Sequence, residues 1–125
     1  MDNLKGKTVY ISGPITDTED APERFAEATK VCRELGAVEV FNPMDPDVQA
    51  WREGFDHDVH MLSDLHILTQ TAMRNGKMCA AFDAIVMLDG YGASKGAFAE
   101  QRCAEACGIE VLYMWNLLHP KQEEK

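Results

Sequence analysis

The sequence predicts an α/β fold with a doubly wound parallel sheet of four or five strands and helices on both faces. The first observation is the run 84–88, whose five apolar residues are typical of a central strand covered on both sides. The second is the alternation of short apolar runs with helical patterns, which favours parallel strands joined by right-handed crossovers. Together these features predict a flavodoxin-like or Rossmann-like architecture.

The first part of the chain predicts a strand, a helix and a second strand. Residues 8–11 are β-branched and aromatic, and a turn-forming Ser-Gly-Pro follows them. Apolar residues then recur at helical spacing between Asp20, a potential N-cap, and Gly36, which supplies a stop. A second strand is predicted over 38–41, because the Asn-Pro that follows cannot continue a ladder.

The rest of the sequence has a less regular spacing of apolar residues. Residues 44–82 predict two or three helices interrupted by glycines. Val59, Leu62 and His66 would share one helix face and pack on the sheet. After the glycine loop a further helix is expected, and residues 109–113 predict a fourth core strand.

Length and composition narrow the class of protein. The chain has 125 residues, of which 46% are hydrophobic, so we expect a single domain over residues 1–125. It shows neither an apolar run of about 18 residues nor an apolar leader, which predicts a cytoplasmic protein away from membranes. The net charge of −9 argues against a nucleic-acid polymer as partner. Four cysteines without a paired metal spacing predict free thiols.

Three loops are expected to meet at one edge of the sheet. They are residues 12–14, 42–43 and 89–96, and each follows a predicted strand. Ligands bind at this carboxyl edge in open parallel sheets, and the free N–H groups of a helix start attract anions. The last loop therefore predicts a phosphate cradle with Glu100 beside it. The alternative is that Glu100 is an ordinary solvated glutamate favoured by the helix dipole.

Three ordered segments resemble the nucleoside 2-deoxyribosyltransferase-like superfamily. They are Tyr-Ile-Ser-Gly-Pro-Ile at 10–15, Asn-Pro at 42–43 and Ser-Lys-Gly-Ala-Phe-Ala-Glu at 94–100. The resemblance spans most of residues 7–113, leaves 114–125 as a C-terminal tail, and is closest to small members from bacteria and their viruses. The Ser-x-Gly-x-x-x-Glu pattern is shared with 2′-deoxynucleoside 5′-monophosphate N-glycosidases.

The resemblance implies cleavage of the N-glycosidic bond of a nucleoside 5′-monophosphate, by a glycosidase or a deoxyribosyltransferase. Glu100 would be the nucleophile that forms a covalent glycosyl intermediate, kept charged with help from the helix N-terminus. Ser94 would face the 5′-phosphate, although it could equally be a helix N-cap. The residues implied in substrate binding are Ser12, Gly13, Pro14, Asn42, Tyr91, Ser94, Gly96, Ala97 and Arg74.

The chain departs from the family pattern at Asn75. Many relatives carry an aspartate eight residues before the acid that opens the core strand, which here is Asp83. Asparagine at this catalytic position cannot donate a proton as an acid does. Either Asp64 or Asp89 takes over the task, the base leaves with help from water, or catalysis is slow or absent. Arg74, next to Asn75, would bind phosphate or be a solvated surface charge.

Aromatic and histidine side chains offer further contacts. Tyr91 and Tyr10 could stack on the nucleobase, although Tyr10 could also be core filling. His57 and His60 lie close to acidic residues, but an acidic helix needs no ion and the resemblance implies no metal or cofactor.

The resemblance also implies a homo-oligomer, a dimer or a larger assembly, with the helix around Val59 and Leu62 as a possible contact. A small-molecule nucleotide or nucleoside is the expected partner. The alternative function is a nucleotide-binding module that senses or sequesters its ligand without turnover, supported by Asn75. A structural partner in a larger assembly is a third interpretation.

Overall fold

The computed structural model describes residues 3–16 and 18–120. The strands are β1 (Thr8–Ser12), β2 (Glu39–Phe41), β3 (Thr71–Arg74), β4 (Lys77–Ala80), β5 (Ala84–Met87) and β6 (Glu110–Tyr113). The helices are α1 (Ala21–Glu34), α2 (Pro46–Trp51), α3 (His57–Leu68), α4 (Lys95–Ala106) and α5 (Met114–Leu118), with a short 3₁₀ turn at Tyr91–Ala93. Four strands form a parallel sheet in the order β2-β1-β5-β6, and β3 and β4 form a separate antiparallel pair.

Both faces of the parallel sheet are covered, as the predicted fold class requires. Successive residues of a strand point to opposite faces. On β5, Val86 belongs to a core cluster with Phe25 of α1 and Leu117 of α5. Its neighbour Ile85 belongs to a second cluster with Ala104 of α4. The prediction of a doubly wound α/β fold with four parallel strands is therefore confirmed.

The topology creates a crevice between β1 and β5. These strands are neighbours, yet the chain leaves β1 through α1 toward β2 and leaves β5 through α4 toward β6. The two connections diverge to opposite sides, so the carboxyl ends of β1 and β5 form a topological switch point, where ligands bind in such sheets.

The prediction of helices over residues 44–82 is right for α2 and α3 and wrong for the segment 71–80. That segment is a β-hairpin closed by Asn75 and Gly76, which have φ of 54° and 77°. Two positive φ values are typical of a type I′ turn, for which Asn-Gly is a preferred dipeptide. The Asn-Gly dipeptide therefore indicates the hairpin turn in the sequence, and the helical interpretation overlooked it.

The predicted inward face of α3 is also wrong. Val59 and Leu62 are 39% and 67% exposed, and His66 is exposed as well. Leu68 is buried, and Leu65 packs against the same cluster. Apolar residues lie around most of this helix, so their spacing does not single out one face.

The segment after residue 113 is more than a tail. Helix α5 carries Met114 and Leu117 into the core cluster on the α1 face. Residues 121–125 of the predicted C-terminal tail lie outside the described part of the chain. None of the helices within the described ranges could cross a bilayer, since none is both long and apolar.

Candidate functional site

Glu100 is held by two hydroxyl groups from β1. Its side chain is 6% exposed. The Tyr10 hydroxyl donates to Oε2 and the Ser12 hydroxyl donates to Oε1, each at 2.5 Å. Tyr10 and Ser12 are two residues apart on a strand, so they point to the same face of the sheet, the one that α4 covers. Both carboxylate oxygens of Glu100 are therefore fixed in position.

The environment of Glu100 raises its pKa from 4.5 to about 7. Burial is the largest cause, and the hydrogen bonds from Ser12 and Tyr10 lower the pKa only in part. The Asp64 charge raises it further, while Arg52 lowers it. Desolvation thus outweighs the hydrogen bonds that favour the charged form, and Glu100 is about half protonated near pH 7. The expectation that the helix N-terminus helps keep Glu100 charged stays a prediction.

A cavity of about 410 Å³ opens beside Glu100. Its walls come from the loops after β1 and β2, the end of α2, helix α3 and the start of α4. The loop after β1 contributes Gly13, α3 contributes His60 and Asp64, and α4 contributes Gly96. The cavity thus lies at the predicted carboxyl edge of the sheet, and its size is typical of small-molecule sites.

Ser94 lies where both roles predicted for it, helix N-cap and phosphate contact, would place it. It is the N-cap of α4, where its hydroxyl accepts from the Ala97 N–H at 3.2 Å, and it also lines the cavity. Gly96 and Ala97 line the cavity as well. The first N–H groups of a helix have no intrahelical acceptor, so this end of the cavity favours an anion. A phosphate contact to Ser94 stays a prediction.

Glycine is required more strongly at position 13 than at position 96. A Cβ on Gly13 would lie 2.8 Å from the Cβ of Leu88, closer than real contacts allow. A Cβ on Gly96 would lie 3.6 Å from the Met61 sulfur, which is ordinary contact. Gly13 therefore allows the loop after β1 to approach the end of β5, whereas the fold itself does not demand glycine at position 96.

Asp89 and Tyr91 lie outside this cavity. Asp89 is exposed, borders a separate groove between α1 and α5, and accepts a hydrogen bond at its backbone oxygen from Arg24 at 2.7 Å. Tyr91 packs against Tyr113, with ring centroids 5.5 Å apart. The structure therefore does not bring the predicted catalytic Asp89 or the predicted base-stacking Tyr91 to the cavity that Glu100 lines.

Asn42 and Pro14 support the loops without lining the cavity. The Asn42 side-chain oxygen accepts from the Met44 N–H at 2.8 Å and so closes the turn after β2. That turn presents the next residue, Pro43, to the cavity. Pro14 lies against the loop after β5, since a Cβ on Gly90 would be 3.3 Å from its ring. These two predicted substrate-binding residues shape the loops around the site.

Arg74 and Asn75 lie at the other end of the molecule. Arg74 pairs with Asp83 at 2.8 Å and donates to the Ala81 backbone oxygen at 3.0 Å. Asp83 directly precedes β5, so this ion pair marks the amino edge of the sheet, opposite the Glu100 edge. Asn75 is in the exposed hairpin turn. The predicted catalytic role of Asn75 and the phosphate role of Arg74 are corrected, because the hairpin separates them from the cavity.

Tyr10 contributes its hydroxyl and not its ring face. The side chain is fully buried, stacked on Phe41 at 5.1 Å between centroids and edge-on to Phe82 at 5.5 Å. The base-stacking alternative for Tyr10 is therefore wrong, and core filling is right. What the sequence interpretation missed is that the hydroxyl of this core residue reaches Glu100.

The sequence interpretation also missed Arg52, which pairs with Asp64. Arg52 is 3% exposed, its Nη1 lies 2.5 Å from Asp64 Oδ1, and both residues line the cavity. The rings of Trp51 and Phe41 lie 5.0 and 5.9 Å from its central carbon. Burial raises the pKa of Asp64, against the opposing effect of Arg52. One feature of the sequence could have identified Arg52 as a candidate: it is the sole Lys or Arg in residues 34–73.

The histidines next to this pair also face the cavity. His57 and His60 line it together with Asp64. Within the described residues, no group of three or more His, Cys, Asp or Glu side chains is placed to hold a metal ion. The expectation that the site uses no metal stays a prediction.

Comparison with known proteins places the chain in one family. A search of curated proteins gives no match, and a search of solved structures gives none. The description of the family that does match names no function, so the resemblance to the nucleoside 2-deoxyribosyltransferase-like superfamily stays a prediction. Residues 7–113 match the family described as "Domain of unknown function (DUF4406)", and the chain therefore belongs to that family.

Proposed function

We propose that this protein cleaves the N-glycosidic bond of a nucleoside 5′-monophosphate through a covalent glycosyl intermediate on Glu100. The observation that carries the proposal is the arrangement of Glu100, whose two oxygens accept from Tyr10 and Ser12 beside a cavity of about 410 Å³. A carboxylate fixed in this way is oriented for attack on one carbon atom of a bound ligand.

The proposed reaction proceeds in two displacements. The Glu100 carboxylate attacks C1′ of the sugar, the bond from C1′ to the base breaks, and its electron pair leaves with the base, which takes up a proton. Water then attacks C1′, loses a proton and releases the sugar phosphate and free Glu100. A second base in place of water would give transfer, and either route retains the configuration at C1′.

The pKa of Glu100 suits this task at neutral pH. With a pKa of about 7, about half of the Glu100 side chains are ionised near pH 7 and able to attack. The hydroxyls of Tyr10 and Ser12 stabilise that ionised form, since both lower the pKa. Loss of activity below pH 7 is the expected consequence.

Asp64 supports the proposal as the acid that serves the leaving base. It lines the same cavity as Glu100, whereas Asp89 lies elsewhere and Asn75 is on the hairpin. Burial raises the pKa of Asp64, which favours a carboxyl that gains and returns a proton. In the proposed cycle Asp64 protonates the base and then accepts the proton of the attacking water.

The start of α4 supports a phosphate as the anionic part of the substrate. Ser94, Gly96 and Ala97 line the cavity where the helix presents its first N–H groups. A serine hydroxyl can donate to phosphate, where a carboxylate would repel it.

The direct test is to incubate the protein with ribo- and 2′-deoxynucleoside 5′-monophosphates and to measure free base by chromatography. We expect release of base, and we expect Glu100→Gln to abolish it. Glu105→Gln is the matched control, because Glu105 lies on the same helix but is exposed and pairs with Arg102. A 2′-fluoro nucleotide should add its glycosyl mass to the peptide that contains Glu100. The proposal fails if no nucleotide is cleaved, or if Glu100→Gln keeps full activity.

A binding module without turnover is the second candidate. Its sequence argument, Asn75, is removed by the position of that residue on the hairpin. The observation in its favour is that both oxygens of Glu100 already accept hydrogen bonds, which reduces their nucleophilicity. Calorimetry separates the two candidates: saturable binding of an intact nucleotide with no product over hours fits the binding module.

A homo-oligomer is part of the same proposal. Val59 and Leu62 are exposed on α3, the helix that contributes His60 and Asp64 to the cavity, so a contact there would border the site. Sedimentation of the protein and of Leu62→Glu tests this. The wild type should sediment as an assembly and the variant as a monomer. If both sediment as the same assembly, this face of α3 is excluded as the contact between subunits.

A further inference from the structure

One cation and two carboxylates share the cavity. Arg52 is the single Lys or Arg among the described residues that line it, and Asp64 and Glu100 are the acids. Arg52 Nη1 lies 2.5 Å from Asp64 Oδ1. The other two guanidinium nitrogens, Nε and Nη2, are buried and have no hydrogen-bond partner among the described residues.

Stability does not explain this arrangement. Burying N–H groups without acceptors is unfavourable, and apolar residues in place of a buried ion pair often stabilise a fold. The Arg52 guanidinium also lies over the rings of Trp51 and Phe41, so its surroundings are in part apolar. Buried polar groups left unsatisfied in this way are found at functional sites. The location of Arg52 at the cavity wall points to a role in the site.

We propose that Arg52 is a positioning residue, which holds the Asp64 carboxylate at the cavity wall and balances its charge so that Asp64 and Glu100 can act in the same cavity. Two carboxylates in one low-dielectric site repel each other, and a cation beside them offsets that repulsion, so that Glu100 can ionise even when Asp64 is ionised as well. The proposal rests on the proposed function for what the two acids do, but the charge balance itself is a property of the protein without substrate.

The groups around Glu100 set the charge that Arg52 must balance. They are Tyr10 and Ser12 from β1, Arg52 at the end of α2, His57, His60 and Asp64 from α3, and Cys103 on the same helix. The two hydroxyls stabilise the Glu100 charge locally but carry no charge of their own. Arg52 and Asp64 act on the pKa of Glu100 in opposite directions, Arg52 lowering it and Asp64 raising it.

The test follows the titration of Glu100 by carbon-13 NMR of side-chain carboxyl groups in the protein without substrate. Arg52→Gln should raise the titration midpoint of Glu100 by about one pH unit, a tenfold change in proton affinity. Asp64→Asn should lower it, and the double variant should titrate close to wild type. Arg102→Gln is the matched control, because it removes an exposed cation from the helix that carries Glu100 and should leave the midpoint unchanged.

Arg52→Lys separates charge from geometry. Lysine keeps the positive charge, so the Glu100 midpoint should return close to the wild-type value. It lacks the planar guanidinium that lies over the Trp51 and Phe41 rings and so does not hold Asp64 in the same place, and kcat should fall below the wild-type value while KM changes little. In Arg52→Gln the rate of base release should begin to fall at a higher pH than in wild type, and this shift should match the shift of the Glu100 midpoint measured by NMR.

Two results would overturn the proposal. One is a folded Arg52→Gln protein in which Glu100 titrates as in wild type. The other, which applies if Arg52→Gln does not fold, is an Asp64→Asn protein in which the Glu100 midpoint does not fall. Failure of the proposed function is distinguishable, since an absence of nucleotide cleavage would leave the NMR titrations of the free protein standing.

Discussion

Replacing Glu100 by glutamine should stabilise the protein at alkaline pH and leave its stability unchanged in acid. Folding raises the pKa of Glu100 from 4.5 to about 7. The folded state therefore holds the Glu100 proton more tightly than the unfolded state does. Between these two pH values the unfolded state releases the proton first, so the stability of the wild-type protein falls as the pH rises.

The size of the effect follows from the pKa values. Each pH unit of difference corresponds to about 1.4 kcal/mol, so raising the pKa from 4.5 to about 7 amounts to about 3 kcal/mol. This stabilisation is fully present below pH 4.5 and is lost above pH 7. Glutamine has the same shape and does not ionise, and the hydroxyls of Tyr10 and Ser12 can donate to its oxygen or accept from its amide.

The assay is urea unfolding of the wild type and Glu100→Gln between pH 4.5 and 8.5. Other titrating groups affect both proteins alike and cancel in the difference. The difference in free energy of unfolding should grow by about 3 kcal/mol in favour of the variant across this range. Glu105→Gln, an exposed position on the same helix, should show no such growth. Parallel stability curves for the wild type and Glu100→Gln would refute the reasoning.

Three further predictions concern the surroundings of the site. Tyr10→Phe removes the donor to Oε2 of the buried glutamate and should raise the pKa of that glutamate by roughly one unit, which NMR titration would show; an unchanged titration would contradict the role of this hydrogen bond. Gly13→Ala brings a Cβ to 2.8 Å from Leu88 and should destabilise the fold by about 1–3 kcal/mol in urea unfolding, whereas Gly92→Ala, with no atom within 4 Å, should not; equal effects would exclude the close approach. Asn75→Ala places alanine at a φ of 54° and should lower stability by about 1 kcal/mol without changing the rate of base release, so a large loss of activity in a folded variant would return this residue to the site.

Strand β5 and the start of α4 were the easiest elements to predict from the sequence. The apolar run of β5 is covered on both faces, as its uninterrupted hydrophobicity indicated. The Ser-x-Gly-x-x-x-Glu pattern placed Ser94 at the cap of α4 and Glu100 within that helix. These predictions hold because strand length, helix caps and glycine turns depend on residues near one another in the chain.

The segment between β2 and β5 was the hardest to predict. Its apolar residues suit both a helix face and a half-exposed strand, so their spacing alone favoured helices where the Asn75-Gly76 hairpin forms. On α3 the spacing chose Val59 and Leu62 for the core, although the structure exposes both. Which face of a mostly apolar helix is buried depends on the elements that pack against it.

The sequence by itself determined the order of the four core strands and the gathering of three loops at one sheet edge, because local periodicity and the topology of parallel sheets suffice for both. Only the tertiary structure decided which side chains meet there. Tyr10 and Ser12 reach Glu100 across separations of 90 and 88 residues, and Arg52, directly after α2, meets Asp64 of α3. Such contacts, and the burial that raises the pKa of Glu100, depend on how the elements pack, which no local pattern of residues encodes.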